Sequence, residues 1–474
     1  MATTPNGNES NGNESRAETA AARWQRTVRF SPAGGGFVYR PGELIIEQAA
    51  EQALIAAVGD APYNKTEIYG GLLLITDVAD SLTVARSLAK AGFRAQVNHV
   101  IFAAGNVVGA HPSTWPHPST WPHPSTWPHP STWPHPSTWP HAGGGGGCGC
   151  GRGCGCGCDC GCGKAPRGCG PVDPPSNPAP PTHSSVDVTR SEPALLRPTG
   201  GLAKPVSIVV LDTGLAPTSI GGGIPHVTKM TDEEWGPTKP GVDTDNIDLP
   251  DADGNKWLDV VAGHGTFIAG IISRLAPQAT VTVGKVLEYT GEGNDADLAW
   301  RINRLADVGG TDILSLSCSC YSDNDEAPIG LQQAIERIQQ GGTLVVAAAG
   351  NEATCRVSWP SALPGVIAVG ALGPDGPAPF TNFGDWVNAC APGVDIVSRF
   401  FDGIDEHDDG NPATADFRGW ARWSGTSFSA PIVAAAIARE AGLYGISVAA
   451  AAERVVFDPR LFRIPGLGTV INIH

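Results

Sequence analysis

Three short stretches carry side chains that could act together on a carbonyl group: VVLDTGLAP around Asp212, AGHGTFIAGI around His264, and SGTSFSAPIVAA around Ser427. They supply a carboxylate, an imidazole and a hydroxyl, in the chain order Asp, His, Ser. Such a set can run acyl transfer: the carboxylate orients the imidazole, the imidazole takes the hydroxyl proton, and the oxygen attacks. Imidazole suits the base role because its unperturbed pKa lies near neutrality. Taken singly, Asp212 reads as a cap, His264 as a structural histidine and Ser427 as an ordinary N-cap. Three glycine-punctuated motifs in this order outweigh those readings. Asn351, in AAAGN, is a fourth candidate, a neutral amide for a developing oxyanion.

These residues need a scaffold. SIVVLD, TVTVGKVL, DILSLS, TLVVAAAG and VIAVGAL are near-continuous apolar runs, the pattern of parallel strands covered on both faces. Helical stretches such as ADLAWRINRLADVG, IGLQQAIERIQQGG and SAPIVAAAIAREAG lie between them. The alternation predicts an α/β fold, a doubly wound and mostly parallel sheet, over residues 199–474. Asp212 then ends a strand, at the edge where open α/β sheets place their sites. His264 and Ser427 begin helices, where free N–H groups and the helix dipole favour negative charge.

Upstream the texture differs. Residues 1–34 are polar and read as a disordered tail. Residues 35–105 alternate strand-like and helix-like segments: ELII, EQAAEQALIAAV, GGLLLITDV, SLTVARSLAKAG and FRAQVNHVIFAA. That order predicts a small α+β unit of ferredoxin-like type. Residues 106–198 form a low-complexity linker. It holds five copies of HPSTWP at 111–140, then a glycine tract with eight of the chain's twelve cysteines, then a proline-rich stretch. The Cys-Gly-Cys spacing suits soft metals but matches no folded zinc finger. Cys318, Cys320, Cys355 and Cys390 lie further on; a Cys355–Cys390 bridge and buried free thiols both fit the sequence.

The chain has 474 residues and a net charge of −16, all of it carried by residues 201–474. That excess argues against nucleic acid as the partner. No stretch reads as a signal peptide or membrane span, so the expected location is cytoplasmic, with no membrane partner. DADGN at 251–255 with Asp259 gives Asp251, Asp253, Asn255 and Asp259 as weak candidates for a structural calcium. The triad chemistry itself requires no cofactor.

Residues 200–474 resemble the subtilisin-like serine proteases. The resemblance rests on the three motifs, AAAGN, the APG at 391–393 and WPSALPGVIAVGA at 359–371. It implies a serine endopeptidase in which Asp212 orients His264, Ser427 attacks the peptide carbonyl, and Asn351 with the Ser427 N–H forms the oxyanion hole. It also implies two substrate edges: Gly291, Glu292 and Gly293 on one side, and Leu316, Ser317, Cys318 and Ser319 on the other. Ser319 stands where the family usually has a glycine, and Phe267 where many relatives carry a second histidine. Glu292 and the acidic loop 402–409 favour basic or neutral residues near the cut. Residues 35–105 are similar to the family's propeptide, which implies a zymogen with its own N-terminal domain as intramolecular inhibitor and chaperone. Two rival readings are a binding module that keeps the fold without turnover, and a thiol-rich metal-binding scaffold.

Overall fold

The central sheet is built from the apolar runs. In chain order the elements are β6 (Ser207–Asp212), β7 (Val227–Lys229), α3 (His264–Leu275), β8 (Thr280–Lys285), β9 (Glu292–Asn294), α4 (Asp295–Val308), β10 (Ile313–Leu316), β11 (Cys318–Ser319), α5 (Ile329–Gln340), β12 (Leu344–Ala348), β13 (Val366–Gly373), β14 (Ala389–Pro392), β15 (Ile396–Asp405), β16 (Asp416–Trp423), α6 (Thr426–Tyr444) and β17 (Gly468–Val470). Elements β1 to β5, α1 and α2 precede them in the N-terminal unit. The computed structural model describes residues 28–31, 35–103, 182–183, 205–221, 223–231, 245–252, 258–259, 261–405 and 416–471. The predicted linker lies almost wholly outside these residues, as does nearly all of the predicted tail.

Strands run β17–β14–β13–β12–β10–β6–β8–β7, each parallel to its neighbours, within a ten-stranded sheet. Side-chain alternation splits the core into two layers. Val210, Val283, Ile313 and Val346 face α3 and α6, while Val209, Leu211, Leu314 and Val345 face α4 and α5. Burial on both faces is why these strands read as unbroken apolar runs. After β6 the chain first adds β7 and β8 on one side, then crosses to add β10 on the other. The carboxyl ends of β6 and β10 therefore flank the topological switch point, where a crevice opens.

The N-terminal unit comprises β1 (Arg29–Ser31), β2 (Phe37–Glu47), α1 (Glu51–Val58), β3 (Asn64–Tyr69), β4 (Leu72–Thr76), α2 (Ser81–Lys90) and β5 (Ala95–Ala103). Its order β5–β2–β4–β3 is antiparallel throughout, with βαββαβ connectivity, as expected of a ferredoxin-like fold. Two strands of this unit escaped the sequence reading: β1 (Arg29–Ser31) lies within the predicted disordered tail and pairs with Phe37–Tyr39 of β2, and β3 was not expected. NKTEIY forms β3, but four of its six residues are exposed, so it carries no alternating pattern. Among the described residues no single helix is long and apolar enough to cross a membrane.

Candidate active site

Asp212 is the last residue of β6 and is fully buried. Its Oδ1 accepts the Thr213 N–H at 2.8 Å and the His264 Nδ1–H at 2.7 Å. Donation from Nδ1 leaves Nε2 as the imidazole's basic nitrogen. His264 is the first residue of α3, and its two glycine neighbours have separate causes. Gly263 has φ of 81°, and a Cβ there would meet the Phe400 ring at 2.2 Å. A Cβ on Gly265 would meet the Gly214 carbonyl at 2.3 Å. The motif's glycines thus admit the Phe400 ring on one side of the imidazole and the Gly214 backbone on the other.

The imidazole is held between aromatic rings. Trp423 lies edge-on at 5.2 Å and Phe428 tilted at 5.3 Å. Phe267 packs on Phe428 at 4.6 Å, so α3 and α6 meet through these rings directly behind His264. Ser427, beside Phe428, lies in the first turn of α6 and is buried. Its Oγ approaches the Ser317 carbonyl at 3.5 Å, and the Ser317 hydroxyl donates to the Ser427 carbonyl at 2.9 Å.

Asn351 follows β12, next to the same helix start. Its Oδ1 accepts both the Thr426 N–H at 2.8 Å and the Thr426 hydroxyl at 2.9 Å. Those two donors fix the amide's orientation. Its Nδ2 is consequently buried without a hydrogen-bond partner. An unsatisfied buried donor costs about 1–3 kcal/mol, so an amide held this way is free to donate to an acceptor that enters the site. Asn351→Ala is expected to lower kcat by about 10²–10³-fold with little change in KM, a magnitude set by subtilisin and carried over to this chain. Steady-state kinetics on a peptide substrate measure it; a kcat within threefold of wild type would remove Asn351 from the oxyanion role.

The residues predicted as substrate edges flank a strand of the chain itself. β5 pairs antiparallel with β9 on one side and β11 on the other. Phe102 stands opposite both Glu292 and Ser319, Ala103 opposite Cys318, and Ile101 opposite Gly293. The Ala103 N–H donates to the Gly291 carbonyl at 2.9 Å. A Cβ on Gly293 would lie 2.4 Å from the Val286 carbonyl, which excludes a side chain here, and the buried Ile101 packs against this glycine, 3.1 Å from such a Cβ. Leu316 is a correction. It belongs to the central sheet, paired with Leu211 and Ala347, and is fully buried there. Its alternation along β10 turns it into the core, so the edge begins at Ser317.

The N-terminal unit grips the same region elsewhere. Asn98 Oδ1 accepts the Ala296 N–H in the first turn of α4, and Gln96 Oε1 accepts the Ile329 N–H at the start of α5. In α4 the Asn98 amide adds to the helix's own cap, Asn294, whose side chain accepts the Asp297 N–H; α5 has Pro328 in the N-cap position and no side-chain cap of its own. Arg86 makes a bidentate pair with Asp323 at 2.6 and 2.8 Å. Arg356 donates to the carbonyls of Gly35 and Gly36. The acidic edge is met as well: Arg40 lies 3.7 Å from Glu292. None of these contacts carries a local sequence signal, since each joins residues far apart in the chain.

The sequence model of the Subtilase family (Peptidase_S8) matches residues 203–448. The chain belongs to the subtilase family. Among curated relatives, it is 34% identical over 220 residues to the thermophilic serine proteinase of Bacillus sp. (strain AK1), covering 44% of this chain and 48% of that one. It is 31% identical over 233 residues to the subtilisin-like serine protease Pen ch 13 of Penicillium rubens, covering 47% and 50%. It is 31% identical over 219 residues to thermitase of Thermoactinomyces vulgaris, covering 44% and 70%. The chain thus spans about half the length of the first two relatives.

Other predicted sites of this subtilase fare differently. Asp253 and Asn255 lie outside the described residues, while Asp259 Oδ2 accepts the Ala252 N–H at 2.6 Å. Among the described residues no group of three or more His, Cys, Asp or Glu could hold a metal ion. Cys390 is a free, buried thiol, so it does not bridge to Cys355. Cys318 and Cys320 are likewise free and buried, and burial pushes both thiols well above the ordinary range. The cysteine tract and most of the acidic loop 402–409 lie outside the described side chains.

Proposed function

We propose that this subtilase is a serine endopeptidase that works through an acyl-enzyme and is made as a self-inhibited zymogen. The observation that carries the reading is the juxtaposition of three features: the Asp212–His264 hydrogen bond, Ser427 at the start of a helix, and the unpartnered Asn351 amide. Ser427 Oγ attacks the peptide carbonyl while His264 Nε2 takes its proton. Asn351 Nδ2 and the Ser427 N–H receive the developing oxyanion. His264 then returns the proton to the leaving amine, and water repeats the cycle on the ester. Asp212 holds the imidazole tautomer and stabilises the imidazolium.

The inserted strand β5 supports the zymogen half of the reading. It lies between β9 and β11 as an extended substrate would, and the caps from Asn98 and Gln96 would favour ordering of α4 and α5. The register of β5 supports a specific cleavage position. Ala103 faces Cys318, and the residue before Cys318 is Ser317, whose carbonyl meets Ser427 Oγ. Ala104 follows Ala103 in the chain. Self-cleavage is therefore expected between Ala104 and Gly105. Intact-mass analysis of the purified wild-type chain reads this as an N-terminal product ending at Ala104. A chain that stays whole and is not labelled by a fluorophosphonate would overturn the peptidase reading; cleavage elsewhere would overturn the register alone.

A further inference from the structure

We infer that Asp248 is a positioning residue for the His264–Asp212 pair, holding the loop before the imidazole against the strand end that carries the carboxylate. Asp248 comes 15 residues before Gly263 and belongs to none of the catalytic motifs. Its Oδ2 nevertheless accepts the Gly263 N–H at 2.8 Å and the Thr213 hydroxyl at 2.6 Å. Gly263 directly precedes His264, and Thr213 directly follows Asp212. The Thr213 oxygen in turn accepts the Gly265 N–H at 3.0 Å, on the other side of the histidine. With the His264–Asp212 bond these contacts close a ring: Asp248 to Gly263, to His264, to Asp212, to Thr213, and back to Asp248.

The ring restrains what the local sequence leaves loose. His264 begins α3 behind a glycine that supplies no side-chain cap and adopts positive φ. A side chain from a third segment supplies the missing anchor. That segment is itself fastened, since the Asp248 N–H donates to the Leu215 carbonyl and the Leu215 N–H to the Asn246 carbonyl. Asp248 is 4% exposed and Thr213 2% exposed, so neither bond has water as a ready substitute. Burial pushes the Asp248 carboxyl well above its ordinary range, opposed by the two donated hydrogen bonds. Its acceptor oxygen, more than its charge, is what the ring uses. Asparagine at this position keeps such an oxygen.

The inference rests on the peptidase reading, and its test separates the two. In the full chain, Asp248→Ala is expected to lower kcat by about 10²-fold with KM within twofold, as a misplaced imidazole would. The low-field proton resonance of the His264 Nδ1–H is expected to shift or broaden with it. Asp248→Asn is expected to restore most of both. Thr213→Val, which removes the hydroxyl from the ring, provides the comparison if the alanine variant fails to fold, with a kcat loss of about tenfold or more. A purely structural role would lower thermal stability yet leave kcat per active site and the resonance unchanged in the folded variants, and that result would overturn the inference. A wild-type chain without hydrolytic activity would overturn the peptidase reading only; the resonance would still test the Asp248 link.

Discussion

Ser427→Ala is expected to reduce kcat by about 10⁶-fold, the loss found when the nucleophile is removed from subtilisin. The same substitution is expected to leave the full chain uncut. The size of the effect follows from what the hydroxyl does in this site. Ser427 occupies the first turn of α6, beside Phe428, which packs on His264. In the proposed mechanism no covalent intermediate forms without Oγ, while Asn351 Nδ2 and the backbone N–H of residue 427 still bind an oxyanion and retain a residual rate over water. Alanine removes one atom from a buried position and leaves the helix, the Asn351–Thr426 bonds and the core in place. The measurement is hydrolysis of a chromogenic peptide, with intact mass read on the same preparation. A variant retaining more than about 1% of wild-type kcat would mean that another group is the nucleophile.

Asp212→Asn is expected to cost about 10⁴-fold in kcat at neutral pH, a magnitude shared by serine-protease triads, subtilisin's included. Here the surroundings decide how the loss arises. Asp212 Oδ1 receives two N–H donors, from Thr213 and from His264, while Oδ2 is buried without a hydrogen-bond partner. An asparagine amide turned toward those donors would set N–H against N–H. The imidazole relieves that conflict by moving its proton to Nε2, so the basic nitrogen is lost together with the charge that stabilises the imidazolium. KM should change little, because the hydrogen bonds of the Asp212 carboxylate go to Thr213 and His264. Steady-state kinetics with active-site titration would test this; a loss below tenfold would place the stabilising charge elsewhere.

Much of the site was legible in the sequence because its determinants are local. Gly263 and Gly265 around His264, and Gly425 before Thr426 and Ser427, punctuate the chain where backbones must approach or helices must start. Apolar runs such as SIVVLD announced buried parallel strands, and the end of that run placed Asp212. Other features left no such trace. NKTEIY is an edge strand with too few buried side chains to show a period. Leu316 sits one residue from the substrate edge, and the alternation of a strand decides which face it takes. Asp248 reads as one more carboxylate in an acidic loop until the fold brings Gly263 and Thr213 to it.

The sequence by itself determined the candidate groups: an acid, a base, an amide and a hydroxyl, in chain order, on a doubly wound sheet. Helix starts, strand ends and glycine turns are set by neighbours in the chain, so these elements can be read without a structure. Only the tertiary structure decided which donors remain open and which strands lie together. The unpartnered Asn351 amide exists because Thr426, far along the chain, takes both lone pairs of its oxygen. The placement of β5 between β9 and β11 depends on backbone hydrogen bonds, which any extended segment can make. Such bonds carry no side-chain signature, so their pairing is settled by the packing of the whole molecule.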